Sequence, residues 1–401
     1  MDSLELIRGL ARPSPSKIVM LVIDGLGGLP HLKTGKTELE TARTPNLDKL
    51  AAEGVCGLID TVGPGITPGS TPGHLALFGY DPLKYDVGRG VVEAAGIDFD
   101  LRPGDMAARG NFCTVDDKGL ITDRRAGRIS TEQCAQLCKL LDGMTVEEIK
   151  LSVLPVREHR FIVVFKGEEL RTEISESDPQ QTGVLPLEVK AESDVARRTA
   201  HIVNGFIAQA KAILSGHHPA NMLLLRGFSQ RPELPSMPNV YRLKPAAIAA
   251  YPMYRGLAKF VGMTLLETGA GAAEEMEVLK KNYNDYDFFF VHIKKTDSAG
   301  EDGDFERKVA IIEEVDKALP VMTGLKPDVI VVSGDHSTPA RLKGHSWHPL
   351  PALIHSEWCR PDPIKEFAES SCIAGGLGHF HATRLMPLAM AHALKLNKFG
   401  A

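Results

Sequence analysis

The chain has 401 residues, of which 43% are hydrophobic and 24% are charged, and its formal net charge is −5. This length exceeds what one hydrophobic core usually holds, so two domains are expected, and the composition excludes a largely disordered protein. The mild excess of acidic residues gives no indication of nucleic-acid or membrane binding, so neither kind of partner is expected.

Three short apolar runs predict strands that are buried on both faces, because they lack the apolar–polar alternation of a half-exposed strand. An aspartate follows each of them. The runs and their aspartates are 18–23 with Asp24, 288–293 with Asp297, and 329–333 with Asp335. Ligands of open α/β sheets bind beyond the carboxyl ends of the strands, so these three positions are the first indication of a site.

Helical patterns lie between these runs, as the spacing of their apolar residues and their capping residues indicate. In chain order they cover residues 44–51, 130–141, 192–214, 251–262 and 304–319, and a further strand is predicted at 161–165. From about residue 100 to 240 the strand–aspartate pattern is absent and arginines cluster. We therefore predict an α/β core at residues 1–105 and 235–401, with an inserted smaller domain at 106–234.

The six cysteines are too few and too scattered for a disulfide scaffold in a chain of this length. The N-terminal residues include acids and lack the apolar stretch of a signal peptide, and no window of about 18 apolar residues predicts a membrane span. These features predict a protein of the reducing cytoplasm.

Ser70 stands in a turn that is dense in glycine and proline, from Gly63 to Gly73. It is predicted to begin a helix, whose free N–H groups favour anions, and it is a candidate phosphate acceptor. A serine that merely caps a helix would give the same local pattern.

Acidic and histidine residues gather in the turns of the C-terminal half. Asp297 and Glu301 occur in the first turn, Asp335 and His336 in the second, and His345 in the third. Taken together with Asp24, they predict a divalent-metal site with oxygen and nitrogen ligands. Two such ions could activate a serine hydroxyl and hold the oxygens of a phosphate.

Seven segments carry a family resemblance that extends over essentially the whole chain. They are VIDGLGG (22–28), ELETARTPNLDKLAAEG (38–54), PGSTPGHLALFGYDP (68–82), GRGVVEAAG (88–96), KKTDSAGEDGD (294–304), SGDHSTP (333–339) and HSWHPLP (345–351). The sequence resembles the alkaline phosphatase superfamily, and most closely the archaeal-type cofactor-independent phosphoglycerate mutases. The resemblance implies an alkaline-phosphatase-like three-layer core with a mostly parallel sheet and an inserted α/β (α+β) domain.

The resemblance also implies a dinuclear metal centre, a phosphoserine intermediate at Ser70, and interconversion of 3-phosphoglycerate and 2-phosphoglycerate without bisphosphoglycerate. One ion would be held by Asp24, Ser70, Asp335 and His336, and the other by Asp297, His345 and residue 301. The family pattern has a histidine at the last position, where this chain has Glu301. A carboxylate there favours Mn²⁺ or Mg²⁺ over Zn²⁺. His348 is expected at the rim of the site.

The implied substrate carries a phosphate and a carboxylate, for which arginine is the natural ligand. The expected substrate-binding residues are Arg89, Asp123, Arg124, Arg160, Arg226 and Arg255, with Arg109 and Arg128 as further candidates. We expect the inserted domain to act as a lid that excludes water, because water would convert a mutase into a phosphatase.

Two other functions are compatible with the sequence. The same core could belong to a metal-dependent phosphatase or a homoserine-kinase-like phosphotransferase, although the chain has no G-x-x-x-x-G-K-[ST] phosphate-binding motif. A non-catalytic binding protein on this fold is the other alternative, since Glu301 and the Gln180 region depart from the family pattern. The oligomeric state does not follow from the sequence.

Overall fold

The computed structural model describes residues 3–85, 87–269 and 271–400. Its strands, in chain order, are β1 (Ile18–Ile23), β2 (Val55–Asp60), β3 (Met106–Val115), β4 (Ile121–Asp123), β5 (Thr145–Val146), β6 (Ile149–Arg157), β7 (Arg160–Lys166), β8 (Met222–Gln230), β9 (Pro245–Ala249), β10 (Thr264–Leu266), β11 (Phe288–Ile293), β12 (Val329–Ser333), β13 (Leu350–Ser356) and β14 (Gly378–His381).

The α-helices, in chain order, are α1 (Ser3–Leu10), α2 (Glu38–Thr41), α3 (Pro45–Glu53), α4 (Ser70–Leu77), α5 (Arg89–Gly96), α6 (Thr131–Leu141), α7 (Arg197–Leu214), α8 (Met237–Tyr241), α9 (Pro252–Phe260), α10 (Ala272–Asn282), α11 (Lys295–Asp302), α12 (Phe305–Gly324), α13 (Glu369–Cys372) and α14 (Leu385–His392). Short 3₁₀ helices occur at Ala126–Arg128, Asp194–Ala196 and Ala382–Arg384.

The chain forms two compact units. The first consists of Met1–Asp86 and Leu234–Ala401, and the second of Val87–Glu233. The first boundary between the core and the inserted domain therefore falls near residue 87, whereas the sequence pattern predicted it at residue 106. The difference arises because α5 belongs to the second unit: Val91 N–H donates to Ser229 Oγ at 3.4 Å, and Glu93 pairs with Arg109 of β3 at 3.7 Å.

The sheet of the first unit has the strand order β10-β9-β11-β1-β12-β13-β2-β14. Among the described strands of this sheet, β13 alone runs antiparallel to its neighbours. The central strand β1 is paired in parallel with β11 and with β12, and all residues of these three strands are buried. This confirms the prediction of a mostly parallel sheet, and it places the ends of the three predicted runs side by side.

The second unit contains an antiparallel sheet with the order β4-β3-β7-β6-β5, and β8 also pairs with β3. Its core packs the sheet against α6 and α7, with Phe112 and Phe161 ring centroids 4.5 Å apart. The predicted strand at 161–165 is confirmed as β7. The predicted helix at 192–214 begins later, at Arg197, because a 3₁₀ turn precedes it.

Helix α12 begins where the sequence predicted it, since the side chain of Asp304 accepts a hydrogen bond from Arg307 N–H. It is 20 residues long and carries several charged side chains. Of the helices in the described part of the chain, none is both long and apolar enough to span a lipid bilayer. All six cysteines lie in the described part and none forms a disulfide.

Glu275 of helix α10 is buried, and burial disfavours the charged form of its carboxyl group. Glu275 is 2% exposed, and burial raises its pKa to about 9 although Lys295 partly offsets the effect. Between pH 4.5 and 9 the folded protein holds a proton that the unfolded chain has lost, so this group makes unfolding more favourable as the pH rises.

We therefore expect Glu275→Gln to raise the free energy of unfolding, with a gain that grows with pH and reaches at most about 5 kcal/mol near pH 8. Thermal unfolding at pH 5 and pH 8 measures it. The exposed Glu277 of the same helix provides the control, Glu277→Gln, which should change neither midpoint. An equal shift of the Glu275→Gln midpoint at both pH values would contradict the prediction.

Candidate active site and metal centre

The candidate site lies at the carboxyl ends of the adjacent strands β11, β1 and β12. Asp24 follows β1, Asp335 and His336 follow β12, and Asp297 lies in the first turn of α11, directly after β11. These four side chains are at most 1% exposed. The strand order thus brings together residues that are up to 312 positions apart in the sequence.

Asp24, Asp335 and His336 form the first group of potential ligands, with one ligand atom from each lying within 4.8 Å of the others. The Nε2 atom of His336 lies 3.1 Å from Asp335 Oδ2 and 3.3 Å from Asp24 Oδ1. Ser70 Oγ is 3.2 Å from the same nitrogen. The structure therefore brings the predicted nucleophile to the predicted ligands.

Asp297, His336 and His345 form the second group. Asp297 Oδ1 lies 3.5 Å from His345 Nε2 and 4.0 Å from His336 Nδ1, and the two imidazole rings stack with centroids 3.6 Å apart. His345 Nδ1 lies 3.0 Å from the carbonyl oxygen of Pro68, which can only accept. Nδ1 therefore donates, and the lone pair of the neutral ring is on Nε2, facing Asp297.

The charges of the first group are set by its own members and by two neighbours, Lys294 and His292. Burial and Asp335 raise the pKa of Asp24, but Lys294, His292 and His336 outweigh them and lower it to about 2. Burial lowers the pKa of His336, but Asp335 and Asp24 outweigh it and raise it to about 9. At neutral pH the carboxylate is ionised and the imidazole is protonated, so a cation that binds Nε2 must displace a proton.

The donor set fits divalent cations. Among the described residues, Asp24 Oδ1 and Asp335 Oδ2 are buried carboxylate oxygens that make no hydrogen bond of good geometry, and their polar neighbours are histidine nitrogens at 3.1 to 3.3 Å. Buried carboxylate oxygens that are satisfied only in this way are costly in a protein interior, and a bound cation would satisfy them. Carboxylates, imidazoles and a serine hydroxyl together suit Mn²⁺, Mg²⁺ or Zn²⁺.

Helix α4 fixes Ser70, which is its first residue, with Gly69 at the N-cap. A Cβ atom at Gly73 would lie 2.3 Å from the carbonyl oxygen of Asp335, so only glycine lets this helix approach the metal-binding turn. His74 Nδ1 donates to Ser70 O at 2.8 Å and lies 3.2 Å from Asp335 Oδ2. The serine hydroxyl is thereby held at a helix N-terminus, where an anionic group is favoured.

Three residues that contact the aspartates of the two ligand groups were not predicted from the sequence. Lys294 Nζ lies 3.2 Å from Asp24 Oδ2 and also contacts Asp297 Oδ2, so one ammonium group bridges the two ligand groups. Its position three residues before Asp297, directly after a strand, was the available signal. Tyr254 Oη donates to Asp24 Oδ2, and His292 Nε2 lies 3.3 Å from the same oxygen. For Tyr254 the sequence offered no signal.

Glu301 and His348 are outside both ligand groups. Glu301 is exposed on α11, four residues after Asp297. Its role as a metal ligand stays a prediction. His348 Nδ1 lies 3.0 Å from Ser346 Oγ, and its ring stacks on that of Trp347.

The residues expected to bind substrate are distributed over both units, and most have acidic partners. In the first unit, Arg255 pairs with Glu267 at 2.6 Å. The pairs of the second unit are Arg89 with Glu93 at 3.2 Å, Arg124 with Asp178 at 2.7 Å and Arg226 with Glu176 at 4.0 Å. Asp123 accepts from Arg125 N–H and Gly127 N–H at 2.8 and 2.6 Å. Their role in substrate binding stays a prediction.

Four arginines act electrostatically on the buried His159 in the second unit. Burial lowers the pKa of His159 to about 3, and Arg160, Arg109, Arg125 and Arg128 lower it in the same direction. Arg160 is the first residue of β7, and Arg109 of β3 is paired with Ile162, two residues further along β7. This gathering of guanidinium groups around one neutral imidazole favours the binding of anions.

Comparison with known proteins gives a consistent result. Residues 51–221 match the family model described as 2,3-bisphosphoglycerate-independent phosphoglycerate mutase. The chain is 50% identical over 402 residues to a "probable 2,3-bisphosphoglycerate-independent phosphoglycerate mutase" of Thermotoga maritima, and 51% identical over 408 residues to one of Deinococcus radiodurans. In both comparisons 100% of each chain is covered.

Two solved structures are similar over nearly the whole chain. A protein from Pyrococcus horikoshii has a TM-score of 0.84 at 28% identity and covers 97% of this chain and 100% of its own. The cofactor-independent phosphoglycerate mutase from Thermoplasma acidophilum has a TM-score of 0.69 at 30% identity, with 94% and 100% covered.

Proposed function

The chain belongs to the 2,3-bisphosphoglycerate-independent phosphoglycerate mutase family, and on this premise we propose that it interconverts 3-phosphoglycerate and 2-phosphoglycerate without bisphosphoglycerate. One observation carries the proposal: the hydroxyl of Ser70 lies 3.2 Å from His336 Nε2, within a buried cluster of carboxylates and imidazoles. A phosphorylated hydroxy acid is the corresponding partner, and a cytoplasmic location stays a prediction.

We assign the alkaline-phosphatase-like architecture to the first unit, whose mostly parallel sheet carries both ligand groups at adjacent strand ends. The second unit corresponds to the inserted domain of the family. Its roles as a lid and as a source of arginines for the substrate stay predictions. The arginine cluster around His159 is the feature that supports them.

Asp24, Asp335, His336 and Ser70 would hold one divalent ion, and Asp297 and His345 the second, with Glu301 as its further expected ligand. His336 lies between the two groups and belongs to both by distance. Such ions, when bound, lower the pKa of a hydroxyl group and stabilise the charge of a phosphoryl group in transfer. A hard carboxylate at position 301 favours Mn²⁺ or Mg²⁺, and Zn²⁺ is possible.

Ser70 would act as the phosphoryl acceptor. Its Oγ forms the bond to phosphorus while the bond from phosphorus to the 3-hydroxyl oxygen of glycerate breaks, and the proton of the serine ends on that oxygen. The 2-hydroxyl of the same glycerate then takes the phosphoryl group from Ser70, which recovers its proton. Lys294 contacts Asp24 and Asp297, and its ammonium group would neutralise negative charge that develops on the phosphoryl group during transfer.

A phosphatase or a phosphotransferase would use the same ligand groups, so the products must be measured. We expect the purified protein to convert 3-phosphoglycerate to 2-phosphoglycerate without added bisphosphoglycerate, to lose this activity in EDTA, and to regain it with Mn²⁺. Inorganic phosphate is measured in the same samples. Release of phosphate as the main reaction would contradict the mutase proposal, as would full activity of the metal-depleted protein.

A further inference from the structure

We propose that Thr338 is a positioning residue: its hydroxyl fixes the tautomer of His336 and joins the two ligand groups. The inference rests on the proposed function, because it concerns how this chain prepares His336 for a cation. It adds a role for a side chain that binds neither the ion nor the substrate.

Thr338 is fully buried, two residues after His336 in the turn that follows β12. Its Oγ1 makes two contacts. It donates to Asp297 Oδ1 at 2.7 Å, and it lies 2.9 Å from His336 Nδ1. One hydroxyl thus touches a member of each ligand group.

Counting protons determines the direction of the second contact. A threonine hydroxyl has one hydrogen, and an ionised carboxylate can only accept. If that hydrogen lies towards Asp297, the contact with His336 requires Nδ1 to be the donor. The reverse arrangement would place the hydroxyl lone pairs against a carboxylate oxygen at 2.7 Å without a proton between them.

The contact between Thr338 and Nδ1 determines the state of Nε2, the other nitrogen of the His336 ring. With the proton of the neutral imidazole on Nδ1, the lone pair is on Nε2, which faces Ser70 Oγ, Asp335 Oδ2 and Asp24 Oδ1 at 3.1 to 3.3 Å. Metal-binding histidines commonly have such a partner on the nitrogen that does not bind, and its loss typically weakens metal affinity about 10- to 100-fold.

The surrounding backbone holds this hydroxyl in place. Lys308 Nζ donates to Thr338 O at 2.9 Å, and Thr338 N–H donates to Gly27 O at 3.0 Å. A Cβ atom at Gly300 of α11 would lie 2.2 Å from the carbonyl oxygen of Thr338, so the helix that carries Asp297 packs directly on this residue. The contacts leave Thr338 little freedom to turn away from Asp297 and His336.

The test measures Mn²⁺ binding to the metal-free full-length protein by titration calorimetry. Thr338→Val removes the hydroxyl and keeps the shape, whereas Thr338→Ala and Thr338→Ser form a pair that differs by a single oxygen. We expect Thr338→Val and Thr338→Ala to bind Mn²⁺ about 10- to 100-fold more weakly and Thr338→Ser to bind nearly as tightly as the unaltered protein. The Ala/Ser pair decides the outcome if the valine variant does not fold.

A second measurement reports on the tautomer itself. In protein labelled with ¹⁵N-histidine and loaded with diamagnetic Mg²⁺, the Nδ1–H signal of His336 should be observed in the unaltered protein and in Thr338→Ser, and be lost or shifted in Thr338→Val. Equal Mn²⁺ affinities for Ala and Ser variants, or an unchanged Nδ1–H signal in Thr338→Val, would overturn the inference. Absence of Mn²⁺ binding to the unaltered protein is a different result, which would overturn the proposed function and the inference with it.

Discussion

Replacing Ser70 with alanine is expected to reduce phosphoglycerate interconversion on the order of 10⁴-fold or more, because the variant lacks the atom that accepts the phosphoryl group. Ser70 Oγ lies 3.2 Å from His336 Nε2, at the first residue of α4, and no binding interaction compensates for a missing nucleophile. The rate is measured as formation of 2-phosphoglycerate from 3-phosphoglycerate in Mn²⁺.

The control for this variant is Ser215→Ala, which removes an exposed serine hydroxyl after α7 and should leave the rate unchanged. Thermal unfolding of Ser70→Ala verifies that the helix and its neighbouring turns remain folded. Brief incubation of the unaltered protein with labelled substrate, followed by acid quenching, should leave label on the chain and none on Ser70→Ala. A Ser70→Ala variant with the full rate would exclude Ser70 as the acceptor.

Much of the site could be predicted from the sequence because its residues follow buried strands directly. A run such as Ile18–Ile23, apolar at every position, indicates a strand covered on both faces. The residue that follows such a strand lies at the carboxyl end of the sheet, where ligands bind. The strand order itself did not follow from the sequence; because β11, β1 and β12 are adjacent in the sheet, the three predicted aspartates lie side by side.

What could not be predicted depends on contacts between distant parts of the chain. Tyr254 reaches Asp24 from α9, 230 residues away, and nothing in the local pattern around it differs from that of an ordinary amphipathic helix. The unit boundary near residue 87 depends likewise on α5 packing against β8, which is more than 120 residues later. Local periodicity reports which face of an element is apolar, and not which element will cover it.

Lys308 is a further residue whose surroundings could not be predicted from its local sequence. Its replacement is expected to lower the stability of the protein strongly. Lys308 lies in α12, and a lysine in an amphipathic helix ordinarily faces solvent, yet its side chain is 0% exposed. Its Nζ donates to Gly27 O and Thr338 O, both at 2.9 Å. It therefore ties the turn that follows Asp24 to the turn that follows His336.

Two acidic side chains support the same pair of turns. Glu38 accepts from Ala340 N–H at 2.7 Å, and Glu369 accepts from Gly28 N–H at 2.9 Å. Burial lowers the pKa of Lys308, and Glu38 and Glu369 act in the opposite direction, which favours the charged ammonium form. One cation and two carboxylates thus share the interior behind the candidate metal centre.

Lys308→Met removes the cation and leaves two carbonyl oxygens and two carboxylates without it. Loss of one partner from a buried charged network typically costs about 3–5 kcal/mol, so we expect a marked fall in the thermal midpoint. The matched control is Lys317→Met, an exposed lysine of the same helix, for which a change within about 0.5 kcal/mol is expected. Unfolding of both variants is followed by circular dichroism.

The two roles of Lys308 can be separated, because stability and metal binding are measured independently. If the lysine only neutralises the buried carboxylates, lowering the pH should recover part of the lost stability as Glu369, whose pKa is raised by burial, takes up a proton. If it also holds the two turns in register, Mn²⁺ affinity of the folded variant should remain weak at every pH, since the carbonyl oxygens of Gly27 and Thr338 still lack their common donor. A Lys308→Met protein as stable as Lys317→Met would contradict both roles.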